Sequence, residues 1–126
     1  MTPSAADWDA LERAIDGDVV LPGSPDYDSL RRPAIPRFHD VLPQAVVLCR
    51  TPADVAETIR LARRTGLPTA TRSGGHCFAG HSSTDGIVVD VTPMHSVGVS
   101  GDVATVGAGA RLGDLYDELA GHGGTI

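Results

Sequence analysis

The chain has 126 residues, of which 41% are hydrophobic and 21% charged, and a net charge of −6. This ordinary globular mixture suits one domain or part of one, and it excludes wholesale disorder and electrostatic attraction to nucleic acid. All ten basic residues are arginine, which excludes lysine-based chemistry such as a Walker lysine or a Schiff base.

In chain order, Ser4 and Asp7 have capping-box spacing, and Trp8, Leu11 and Ile15 share one helical face, with Gly17 expected as the stop. Residues 1–18 are therefore read as a helical segment and 19–126 as the domain proper. Five prolines fall from Pro22 to Pro43, so this stretch is expected to run over the surface or make short turns. Tyr27, Ile35, Phe38 and Val41 give it something to pack with. Residues 45–49, Ala-Val-Val-Leu-Cys, form a short apolar run typical of a strand covered on both faces. Thr51, Pro52 and Asp54 then open a helix that Gly66 and Pro68 close, with Val55, Ile59 and Ala62 as its expected buried stripe, Thr58 beside it and Leu61 at its edge.

A strand over 67–71 would complete a β-α-β unit. Ile87–Val91 reads as a strong strand, 96–99 and 103–106 as weaker ones, and Leu112, Leu115, Tyr116 and Leu119 as the inward face of a last helix. The class is α+β. Thr125-Ile126 looks like the first step of another strand, so the chain is expected to be the front of something longer.

Residues 71–83, Thr-Arg-Ser-Gly-Gly-His-Cys-Phe-Ala-Gly-His-Ser-Ser, concentrate the groups with chemical potential. Adjacent glycines let consecutive N–H groups point into one concavity that accepts anions, to which Ser73 can add a hydroxyl and Arg72 a charge. The spacing is neither a Rossmann fingerprint nor a Walker loop, and a tight structural turn is the competing reading. His76 has the chemistry of an acid/base, ligand or nucleophile, against a histidine that only hydrogen-bonds the backbone. His76, Cys77 and His81 supply three metal-ligand types without a fourth, so no metal site is expected. Cys77 has no strongly basic neighbour and reads as inert, and Cys49 reads as core. Two cysteines are too few for a disulfide scaffold, no apolar run is long enough to cross a membrane, and the N-terminus lacks a leader pattern. A cytoplasmic location is expected.

The motif Arg72-Ser73-Gly74-Gly75-His76, followed by Gly80, Ser82, Ile87–Val91 and Met94, resembles the flavin-binding domain of the vanillyl-alcohol oxidase superfamily, nearest to its berberine-bridge-enzyme-like FAD-linked oxidases. Residues 22–27, 51–55 and 106–110 extend the resemblance from about residue 19 to the end. The resemblance implies the N-terminal part of a PCMH-type FAD-binding domain, incomplete at its C-terminus. It implies that Arg72, Ser73, Gly74, Gly75, His76, Cys77, Gly80 and Ser82 form the FAD site, with backbone amides around the pyrophosphate and His76 bonded covalently to the flavin 8α-methyl. The implied reaction is hydride transfer from a small organic substrate to FAD, with oxygen as reoxidant. Substrate-binding and catalytic residues, and a second cysteinyl flavin link found in many members, are expected downstream, so none of the catalytic residues is expected within these 126 residues. The alternative is a non-catalytic flavin- or nucleotide-binding module. Oligomeric state and substrate leave no mark in the sequence.

Overall fold

The computed structural model describes residues 2–125. Helix α1, Ala5–Ala14, starts with the expected reciprocal cap: Asp7 N–H donates to Ser4 Oγ at 3.2 Å and Ser4 N–H to Asp7 Oδ2 at 2.8 Å. Trp8, Leu11 and Ile15 turn inward. The helix ends at Ile15 rather than at Gly17. Gly17 serves a different purpose, because a Cβ there would lie 1.7 Å from the Leu48 carbonyl oxygen. Strand β1, Asp18–Val20, follows; at 3 residues it is too short to show a hydrophobic period in the sequence.

The proline-rich stretch is ordered rather than wandering. It contains a short helix α2, Tyr27–Arg31, and a 3-10 turn, Pro36–Phe38. Strand β2, Ala45–Leu48, leads into helix α3, Pro52–Thr65, which Gly66 ends in the left-handed conformation at φ 70°. Strands β3, Thr69–Arg72, and β4, Ile87–Asp90, complete a four-stranded sheet in the order β1-β2-β4-β3. The β-α-β unit thus exists, but β4 inserts between its two strands and runs parallel to both. Strands β5, Val97–Ser100, and β6, Val103–Val106, do not extend that sheet; they form an antiparallel pair of their own. Helix α4, Leu112–Gly121, buries Leu115 and Leu119 but leaves Leu112 and Tyr116 exposed. The expected further strand at Thr125-Ile126 falls, at Ile126, outside the described residues.

Alternation along the strands divides the core into two layers. Ala45, Val47, Ile87 and Val89 face α1 and α3, where they meet Trp8, Leu11, Leu61 and Ala62. Val46 and Val88 face the opposite way, toward Val20 and Tyr27. This is the expected α+β arrangement, with α1 sharing its core with the sheet. Among the described residues, no helix is long and apolar enough to cross a membrane.

The rotation of α3 about its axis differs from the expected one. Its buried residues are Asp54, Thr58, Leu61, Ala62 and Thr65, while Ile59 is 40% exposed. Asp54 sets this orientation. Its carboxylate accepts backbone N–H bonds from Asp16 at 3.0 Å, Gly17 at 3.0 Å and Arg50 at 2.9 Å, and so must face the sheet. Thr58 and Thr65 tolerate burial because their hydroxyls donate one turn back, to the Asp54 and Leu61 carbonyls, at 2.8 Å each.

Burial pushes the Asp54 carboxyl up, but the bonds from Asp16, Arg50, Thr51 and Gly17 together hold it below its ordinary pKa. Asp54→Ala strands three backbone donors and is expected to cost about 2–4 kcal/mol at pH 7. Because the folded pKa is depressed, the carboxylate's contribution is complete above the unfolded value of about 4 and fades as pH falls through the folded one. Urea unfolding should therefore show the gap between wild type and variant narrowing below about pH 4. A gap of constant size down to pH 2 would contradict this.

Candidate functional site

Strand β3 delivers Arg72 to the edge of the sheet, level with Asp90 of β4. Only 4% of Arg72 is exposed. Its Nε donates to the Ser82 carbonyl at 3.1 Å, Nη1 to the Leu30 and Arg31 carbonyls at 2.8 and 2.9 Å, and Nη2 to Ser83 Oγ at 3.1 Å. Burial lowers the guanidinium's pKa and Asp90 opposes that shift, but the group stays charged. The side chain expected to bring charge to the concavity therefore points into the protein. It closes the base of the loop by joining its start to its end.

Between these clamped ends the loop leaves the sheet. Ser73 is tied on both sides: its Oγ donates to the Ala108 carbonyl at 2.8 Å, and its own carbonyl accepts from Thr92 Oγ1 at 2.5 Å. Gly75 is buried at φ 71°, with its carbonyl accepting from Ala34 N–H at 3.0 Å. A Cβ on Gly75 would lie 3.0 Å from Pro33 Cα, so conformation and space both require glycine. Gly80 is likewise at φ 82°, and a Cβ there would meet the Phe38 ring at 2.6 Å. His76 is exposed, and neither ring nitrogen has a hydrogen-bond partner among the described residues.

Ser73, Gly74 and His76 line a cavity of about 540 Å³ together with Thr92, Gly109, Ala110, Arg111 and Leu112. Of the eight expected residues, these three reach the cavity. Arg72 and Gly75 stand behind it, and Cys77, Gly80 and Ser82 shape the far side of the loop. The segment 109–112 was not assigned to the site on sequence grounds, although its small residues ahead of α4 carried a signal. Arg111 is its notable member. It is exposed, has no ion-pair partner among the described residues, and is the one arginine on the cavity wall. No lining residue is acidic, in a chain with sixteen Asp and Glu. Both hydroxyls on the wall, Ser73 and Thr92, already donate to backbone carbonyls, so what the concavity offers an anion such as the pyrophosphate of FAD is loop backbone N–H, one guanidinium and no carboxylate.

His76, Cys77 and His81 are not assembled into a metal site; the described residues contain no cluster of three or more His, Cys, Asp or Glu able to hold an ion. At Cys77 the N–H groups of His81 and Ala79, joined by those of Gly80 and Ser82, hold the thiol's pKa below its ordinary value.

Comparison with known proteins places the chain by sequence and by fold. The sequence matches the FAD binding domain family over residues 43–126. It is 35% identical over 108 residues to the FAD-linked oxidoreductase pytB of Aspergillus terreus, covering 83% of this chain and 13% of that protein. The structure overlays 6-hydroxy-D-nicotine oxidase from Arthrobacter nicotinovorans with a TM-score of 0.82 at 35% identity, over 86% of this chain and 24% of that one. It overlays the berberine-bridge-enzyme-like protein 1 of Physcomitrella patens with a TM-score of 0.81 at 29% identity, over 90% and 25%. The chain thus spans about a quarter or less of the length of these relatives.

The two thiols are expected to react very differently. Cys49 is fully buried and burial pushes its pKa up to about 11, whereas Cys77 is half-buried in a field of N–H donors. Iodoacetamide at pH 7.5 should label Cys77 in the folded protein and Cys49 only after unfolding, as read by peptide mass spectrometry. Equal labelling of both in the folded state would contradict the described loop.

Proposed function

The chain belongs to the family of FAD-binding domains found in FAD-linked oxidoreductases, of the PCMH type and with berberine-bridge-enzyme-like relatives, and on that footing we propose that it holds the pyrophosphate side of FAD and anchors the flavin covalently through His76. The observation that carries the reading is the acid-free cavity shared by Ser73, Gly74, His76 and Arg111. In this reading residues 19–126 are the flavin-binding part, and 1–18, which carry α1 and the first residue of β1, cover one face of its sheet.

Each residue of the loop then has a distinct task. Gly74 and Ser73 present polar groups to the phosphates, and Arg111 supplies the cationic charge that Arg72, turned inward, does not. Arg72, Gly75, Gly80 and Ser82 keep the loop in shape, and Cys77 joins its far turn. His76 offers an imidazole nitrogen with no competing partner, which suits it to bond carbon. Bound FAD supplies two-electron oxidation of a small organic molecule, with oxygen restoring its oxidised form. The side chains that bind that molecule and move its proton belong, in this proposal, to the remainder of the oxidoreductase.

In the full-length protein, denatured samples should fluoresce under ultraviolet light on a gel. His76→Ala is expected to abolish histidyl attachment and His81→Ala to keep it, since His81 does not line the cavity. Flavin mapped to a peptide lacking His76, with His76 unmodified, would contradict the assignment.

A second outcome concerns the backbone. Gly75→Val forces a left-handed residue and a contact with Pro33, and should weaken FAD binding more than tenfold. Ser73→Ala removes one hydrogen bond worth about 1 kcal/mol, and its effect on FAD affinity should stay within about sixfold. Flavin fluorescence titration reads both; normal retention of flavin by Gly75→Val would count against the backbone cradle.

A further inference from the structure

The family match begins at residue 43, after the stretch from Tyr27 to Val41. That stretch is bound into a rigid strap. Tyr27 Oη donates to the Pro43 carbonyl at 2.6 Å, Arg31 Nη1 donates to the carbonyls of His39 and Val41, and His39 Nε2 meets the Pro33 carbonyl at 2.8 Å. None of its residues lines the cavity. Yet it touches the loop at three separated points. Arg72 grips the Leu30 and Arg31 carbonyls, Ala34 N–H holds the Gly75 carbonyl at 3.0 Å, and the Phe38 ring lies under Gly80.

The middle contact has a direct geometric consequence. The Gly75 carbonyl and the His76 N–H belong to one planar peptide unit, and no peptide bond among the described residues is cis. In a trans unit the two groups point in opposite directions. Binding the carbonyl to the strap therefore aims the His76 N–H away from it. Gly75 alone would not ensure this, because glycine has the widest choice of backbone conformations and its peptide can flip. Phe38, by filling the space beside Gly80, limits the second turn of the same loop.

From these contacts we infer that the strap is a positioning element of the flavin site: Ala34 and Phe38 set the peptide plane and the turn that aim His76 without touching the cofactor. This rests on the FAD reading of the loop. The strap acts through Gly75 and Gly80, so its loss should slow flavin attachment in a protein that remains folded. Phe38 belongs to neither core cluster, which leaves the core intact when its ring is trimmed.

The test compares Phe38→Ala and Ala34→Pro with wild type in the full-length protein; the proline variant deletes the N–H that holds Gly75. Readouts are the rate of covalent flavin incorporation at saturating FAD, the dissociation constant for FAD in a His76→Ala background, and cooperative thermal unfolding. Both variants should unfold cooperatively and incorporate flavin at least tenfold more slowly, and Phe38→Tyr should restore the rate. Arg64→Ala, on the exposed face of α3, should leave the rate of flavin incorporation and the FAD dissociation constant unchanged. Incorporation at the wild-type rate in folded Phe38→Ala and Ala34→Pro would overturn the inference. If wild type itself carries no covalent flavin, the attachment reading fails, and the FAD dissociation constant of the strap variants decides the inference: a tenfold rise sustains it and an unchanged value overturns it. Should Ala34→Pro fail to fold, Phe38→Ala alone decides in the same way.

Discussion

The buried guanidinium of Arg72 is the constraint from which the candidate site follows. A cation this enclosed must have its donors satisfied, and leaving a buried charge without partners typically costs about 3–5 kcal/mol. Four hydrogen bonds meet that demand here, drawn from three places: the end of α2, and both Ser82 and Ser83 beyond the loop. Because one side chain satisfies all of them, the end of β3, the strap and the far end of the loop are held at a fixed separation. The residues between, 73 to 81, have to bulge from the sheet, and their glycines decide how. This is how a charged residue with no position on the cavity wall governs the shape of the cavity.

The same arrangement settles where positive charge resides. The chain is acidic overall, with sixteen Asp and Glu against ten Arg, and Arg50, Arg60 and Arg64 are paired with carboxylates at the surface. Such exposed pairs contribute little to stability. Besides the buried Arg72, five arginines, Arg13, Arg32, Arg37, Arg63 and Arg111, have no carboxylate ion pair among the described residues. Arg111, at the entrance to α4, is one of them and lines the cavity. An anion approaching the molecule meets a surface that is negative on average and a cavity that is not, which favours that cavity over the rest of the surface.

Much of the fold was legible in the residues. Ser4 with Asp7 and Thr51 with Pro52 specify helix starts by local chemistry that tertiary contacts do not override, and Ile87–Asp90 is too apolar to lie anywhere except between other strands. The Arg-Ser-Gly-Gly-His motif marked the loop that borders the cavity in the structure. What could not be read depends on partners distant in sequence. Thr58 and Leu61 replace Ile59 on the inner face of α3 because Asp54 is turned inward by the backbone of residues 16, 17 and 50. β4 enters between β2 and β3 through pairing choices with no local signature. Arg72 looks like a ligand for phosphate from its neighbours, and only the Leu30 and Arg31 carbonyls, some forty residues earlier, turn it inward. The backbone N–H groups that lower the Cys77 pKa likewise leave no trace in residue type.

The central claim is that backbone and Arg111 meet the pyrophosphate while Arg72 supports the loop from inside. A crystal structure of the full-length protein with FAD tests it directly, through the distances from the pyrophosphate oxygens to their nearest donors. The account predicts loop N–H groups within about 3 Å of those oxygens, with the Arg72 guanidinium still bonded to the Leu30, Arg31 and Ser82 carbonyls. Arg72 released from those carbonyls and bonded to phosphate, or a pyrophosphate bound away from residues 73–76, would contradict it.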